Sequence, residues 1–144
     1  MSERSRATNM ASEFFIMSAL FRMGLEPLLT LGNKKGVDVY VPASNGRTIA
    51  VEVKAVAGKM DWLLGDREFA TAPNKWVALV CYNGDFASPT SLPDTWVVPS
   101  TVLAKRIVLA GNKKTRFLRR RVVRDELADF ANDLGWQKLR DAAL

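Results

Sequence analysis

The chain has no histidine, and that absence excludes more chemistry than any motif in it supplies. Without imidazole there is no Ser-His-Asp or Cys-His nucleophile, no histidine base and no usual zinc site. Cys81 is the only cysteine, so an internal disulfide is impossible, and its place in an apolar run suits a buried, inert thiol. Long hydrophobic runs are also missing. Stretches such as FFIMSALF and WVALVCY fall well short of a bilayer's thickness, and MSERSRATN lacks the apolar core of a secretory signal. A cytoplasmic protein without membrane contact is the expectation. Any reaction must run on carboxylates, lysines, hydroxyls or a bound metal.

At 144 residues, 48% apolar and 25% charged, the chain suits one folded domain spanning 1–144. Its net charge of +6 is concentrated in one place. KKTRFLRRRVVR, residues 113–124, carries seven basic side chains and no acid, whereas the other 132 residues hold 14 basic and 15 acidic ones. A block of one sign points to a polyanion, nucleic acid first and an acidic membrane surface second. Lys113, Lys114, Arg116, Arg119, Arg120 and Arg121 are the candidate phosphate contacts, joined by Lys34 and Lys35 in an earlier turn.

The apolar periodicity predicts a helix over 9–22, capped by Thr8 or Asn9 and ended at Gly24, with Met10, Phe14, Met17 and Phe21 as its packed stripe and Glu13 turned toward that side. LEPLLTL reads as a short strand. GVDVYV and TIAVEVKAV then alternate cleanly around the turn residues PASNGR, as a hairpin does. A turn centred near Asn45 makes paired residue numbers sum to about 90, setting Asp38 across from Glu52. Residues 58–73 read as helical, 75–82 and 94–99 as strands, and 99–111 as a helix stopped by Gly111. One or two amphipathic helices follow over 125–143. Together these elements predict an α/β fold with a mixed sheet of about five strands flanked by helices. Of the four tryptophans, Trp62 alone is a candidate for stacking on a base.

Like charges facing one another across a hairpin are unfavourable unless a cation joins them. Asp38 and Glu52, with Lys54 two residues on and Glu13 on the preceding helix, are the polar groups that break apolar patterns. They are expected to converge on one sheet face and the helix covering it. Oxygen ligands of this kind suit Mg²⁺ or Mn²⁺, and a lysine beside such a metal suits phosphodiester hydrolysis.

The run GVDVYVPASNGRTIAVEVK, preceded by a helix carrying Glu13, resembles the core of the PD-(D/E)xK nuclease superfamily, with its restriction-endonuclease-like αβββαβ fold. It is similar to small archaeal-type Holliday junction resolvases and small bacterial endonucleases. The resemblance implies that Glu13 is the helical acid, Asp38 the strand acid, Glu52 the second metal ligand and Lys54 the catalytic lysine. Val37 stands where the family name has proline. The implied activity is divalent-metal-dependent cleavage of DNA, on branched or duplex substrates. A homodimer is compatible with it, since cutting two strands favours two active sites. The rival readings are a module of the same fold that binds nucleic acid without cutting, and a subunit whose basic segment meets an acidic protein; Glu52 and Lys54 as a plain surface ion pair is the bland one.

Overall fold

The computed structural model describes residues 2–30 and 36–144. Its elements in chain order are α1 (Glu3–Arg22), β1 (Leu28–Leu29), β2 (Val39–Pro42), β3 (Thr48–Val56), β4 (Trp62–Gly65), β5 (Lys75–Cys81), β6 (Asp94–Pro99), α2 (Ser100–Ala104), β7 (Val108–Leu109), β8 (Arg116–Leu118), α3 (Arg120–Glu126) and α4 (Asp133–Ala143). A short 3₁₀ turn, Ala128–Phe130, joins α3 to α4. The predicted mixed five-stranded sheet is present, in the order β1-β2-β3-β5-β6. Only the β3–β5 pair is parallel; the other three pairs are antiparallel. Among the described residues no helix is long and apolar enough to cross a membrane.

The hairpin has the expected register. Val39 pairs with Val51, Tyr40 with Ala50 and Val41 with Ile49. The Arg47 amide donates to the Asn45 side-chain oxygen at 2.9 Å, closing the turn as Asn-Gly sequences do. Because side chains alternate, Val39, Val41, Ile49 and Val51 enter one core, shared with Ile16 and Leu20 of α1 and Trp136 and Leu139 of α4. Val56, Val77 and Leu79 enter a second core on the other face, with Leu103 of α2, Leu118 of β8 and Val123 of α3. Burying each of these aliphatic side chains stabilises by about 1.5–3 kcal/mol. Three layers result: α1 and α4, the main sheet, then the shorter helices with a small second sheet.

That second sheet, ordered β4-β8-β7, was not expected. Residues 58–73 contain no helix: Trp62 and Leu63 pair with Leu118 and Phe117, more than fifty positions away. The partner lies too far along the chain for local pattern to reveal it, and strand preference follows neighbours more than intrinsic backbone bias. The predicted helix to Gly111 likewise ends at Ala104, and Val108 pairs with Phe117. GNKK at 111 makes the hairpin turn between β7 and β8, with the Asn112 side-chain oxygen accepting the Lys114 and Thr115 amides.

Helix α1 begins six residues earlier than expected, capped by Ser2, whose hydroxyl accepts the Ser5 amide. Its buried side is Thr8, Ser12, Ile16 and Leu20. Met10, Phe14 and Phe21 are instead 41%, 58% and 57% exposed. The apolar residues of this helix run almost all round it, so composition alone does not choose a face. The small Thr8 and Ser12 let it approach the sheet, with the Ser12 hydroxyl near Tyr82 Oη at 3.2 Å.

Candidate functional site at the end of the β2–β3 ladder

Strand β3 outruns its hairpin partner, leaving residues 52–56 without a β2 neighbour on that side. Asp38 stands at this fork. Its amide donates to the Val51 carbonyl at 2.9 Å, and its Oδ2 accepts the Val53 amide at 2.7 Å. Continuing the hairpin register one step sets Asp38 opposite Glu52, as expected. The aspartate thereby occupies the sheet plane between the side chains of the two faces.

Alternation from Val53, which packs toward α1, turns Glu52 and Lys54 to the opposite face. Glu52 Oε1 lies 3.3 Å from Lys54 Nζ, and its Oε2 lies 2.9 Å from Lys75 Nζ. The same-face ion pair of the bland reading is therefore present, but it is partly buried, with the Lys54 side chain 31% and the Glu52 side chain 12% exposed. Glu13 approaches from the α1 side. Burial, a hydrogen bond with Asp38 and the Asp38 charge push its carboxyl up to about 7. Glu13 thus meets Asp38 from α1, while Glu52 and Lys54 turn to the sheet face away from Val53, so Asp38 is the residue next to both groups. Among the described residues no group of three or more His, Cys, Asp or Glu side chains stands close enough to hold a metal ion.

The donor set still suits Mg²⁺ or Mn²⁺. Magnesium is commonly bound through one or two carboxylates while it keeps waters and takes substrate phosphate oxygens. Asp38 and Glu52 are the two carboxylates that could supply such a pair.

Lys75 is the site residue that sequence reasoning missed. It opens the otherwise apolar β5, and the parallel register pairing Ala50 with Lys75 brings it beneath Glu52. A lone charge at the head of a central strand is the signal that could have marked it. Its Nζ also donates to the Ala70 carbonyl at 3.0 Å and lies 4.9 Å from the Phe69 ring centre. Gly36, with φ +73, leaves room beside it: a Cβ there would stand 3.4 Å from Lys75 Nζ.

The basic segment is divided by the fold. Lys113 and Lys114 are exposed at the β7–β8 turn, and Arg119 and Arg121 are exposed at the start of α3. Arg116 donates to the Asp66 carbonyl at 3.1 Å. Arg120 is half-buried, its guanidinium directed at Asn83 Oδ1 at 3.5 Å, and its own amide donates to Asp61 Oδ1 at 2.8 Å. Lys34 and Lys35 lie outside the described residues. Trp62 is 1% exposed, edge-on to Trp96 at 5.7 Å, with its indole N–H directed at the Val80 carbonyl; it anchors the core and does not meet a base. Cys81 is buried, as expected.

The candidate site is therefore a pair of cross-strand carboxylates with two lysines, at the end of the β2–β3 ladder of a mixed sheet flanked by helices. No family model matches the chain, and no curated protein matches it in sequence. Among solved structures it is similar to the bacterial homing endonuclease I-Ssp6803I, with a TM-score of 0.46 and 17% sequence identity, over 69% of this chain and 72% of that one.

Proposed function

We propose that this protein is a divalent-metal-dependent DNA endonuclease of the PD-(D/E)xK type. The observation carrying this reading is the placement of Asp38 against Glu52 at the open edge of β3, with Lys54 Nζ 3.3 Å from Glu52 on the same strand face. Asp38 and Glu52 are the residues that would hold Mg²⁺ or Mn²⁺, which when bound polarises a phosphoryl oxygen and acidifies a water. Lys54, partly exposed, presents an ammonium where negative charge grows on the phosphate. Glu13 supports Asp38 from α1 through a side-chain hydrogen bond. The exposed Lys113, Lys114, Arg119 and Arg121 belong to the layer covering the same sheet face as Glu52 and Lys54, and a backbone polyanion is the ligand such a layer suits.

The test is incubation of the protein with plasmid, single-stranded and branched DNA in Mg²⁺, Mn²⁺ or EDTA, beside Glu52→Gln and Lys54→Ala. Metal-dependent nicking lost in both variants is the expected result. Salt-sensitive binding without cutting under every metal would leave a nucleic-acid-binding module of the same fold, and no nucleic-acid affinity would leave the protein-partner reading.

A further inference from the structure

We propose that Lys75 is a positioning residue: it locks one oxygen of Glu52 so that only the other is offered to a divalent cation. This inference rests on the metal-site reading above and concerns a residue outside the Asp38, Glu52 and Lys54 set. Glu52 is gripped unequally. Its Oε2 meets a lysine whose side chain is 9% exposed, at 2.9 Å, while its Oε1 meets one that is 31% exposed, at 3.3 Å. Lys54 can swing away into solvent when a cation or a phosphate arrives. Lys75 cannot.

The reason lies in what surrounds it. Lys75 Nζ donates to the Ala70 carbonyl, and two residues on, Ala72 is tied to Ser100 by both backbone groups: its amide donates to Ser100 Oγ at 3.2 Å and its carbonyl accepts the Ser100 hydroxyl at 3.1 Å. Ser100, fully buried, begins α2. The Lys75 amide closes the same loop by donating to the Ala72 carbonyl at 3.1 Å. A chain of fixed contacts therefore runs from α2 through the 70–74 loop to Lys75 and Glu52. Such a partner sets which lone pairs of a ligating carboxylate face the metal, and removing one commonly weakens metal binding by about 10–100-fold.

Simple electrostatics predicts the opposite sign, since removing a cation near the site should strengthen Mn²⁺ binding. The experiment uses that difference. Mn²⁺ alone is titrated into the full chain and followed by the paramagnetic resonance of free Mn²⁺, for wild type, Glu52→Gln, Lys75→Met and Lys75→Arg, each first shown folded by circular dichroism. Expected are wild-type binding, loss in Glu52→Gln, at least about tenfold weakening in Lys75→Met and an intermediate value in Lys75→Arg. Unchanged or tighter binding in Lys75→Met overturns the proposal while leaving the metal site intact. Absence of Mn²⁺ binding by the wild type overturns the metal-site reading itself, and this inference with it. Should Lys75→Met not fold, Lys75→Arg carries the comparison, with wild-type affinity as the overturning result. A second readout needs no metal: in EDTA, urea unfolding of Glu52→Gln, Lys75→Met and the double variant should show the two substitutions strongly non-additive, and additivity would overturn the coupling.

Discussion

The Asp38 carboxylate accepts the Val53 amide at 2.7 Å, so a side chain takes the place of a strand at the edge of β3. One residue thus closes the ladder and faces the proposed metal, and the two roles separate by substitution. Asp38→Asn keeps an oxygen acceptor, whereas Asp38→Ala leaves a half-buried N–H unpaired, at a cost of about 1–3 kcal/mol. Urea denaturation should show Asn near wild type and Ala clearly destabilised, with DNA cleavage lost in both. Equal stability of the two variants would contradict the structural role.

Glu13 gives the site a pH signature. Its folded-state carboxyl is raised from 4.5 to about 7, so between those values the folded protein holds a proton that the unfolded chain has released. Stability from this group is fully present below the unfolded value and is lost as pH rises through about 7. Unfolding midpoints of the metal-free protein should therefore fall from pH 5 to pH 8, and Glu13→Gln should flatten the slope. A slope of the same size in the variant would place the titration elsewhere.

Lys75 is buried and Glu52 is partly so, and breaking a fully buried pair by removing one partner costs about 3–5 kcal/mol, which is the upper bound here. Glu52→Ala should consequently lower stability as well as abolish cleavage, whereas Glu52→Gln, still able to accept from Lys75, should lose cleavage at a smaller cost. Thermal melts beside nicking assays separate the two effects. An Ala variant as stable as wild type would mean the pair carries no net stability.

The basic segment predicts a split among neighbouring arginines. Removing a side chain that neutralises one phosphate should reduce the slope of log affinity against log salt by about 0.9. Lys114→Ala, Arg119→Ala and Arg121→Ala should flatten the salt dependence of DNA binding and leave stability unchanged. Arg120→Ala should do the reverse, because Arg120 reaches Asn83 across two elements. A matching slope change for Arg120→Ala would show it free to meet phosphate.

The sequence by itself determined the hairpin, its register and the opposition of Asp38 to Glu52. Those depend on short-range pattern: strict alternation on two strands and an Asn-Gly turn that admits few geometries. It also determined β3 from Thr48 to Val56 and β6 from Asp94 to Pro99, whose apolar runs have no competing period. Three things were decided only by tertiary structure. Strand β4 exists because β8 arrives from far along the chain to pair with it. The buried face of α1 was chosen by small residues that let the helix approach the sheet, since apolar side chains surround it. Lys75 entered the site because a parallel crossover set the head of β5 beside Glu52, a juxtaposition that depends on where the chain returns and leaves no mark in local spacing.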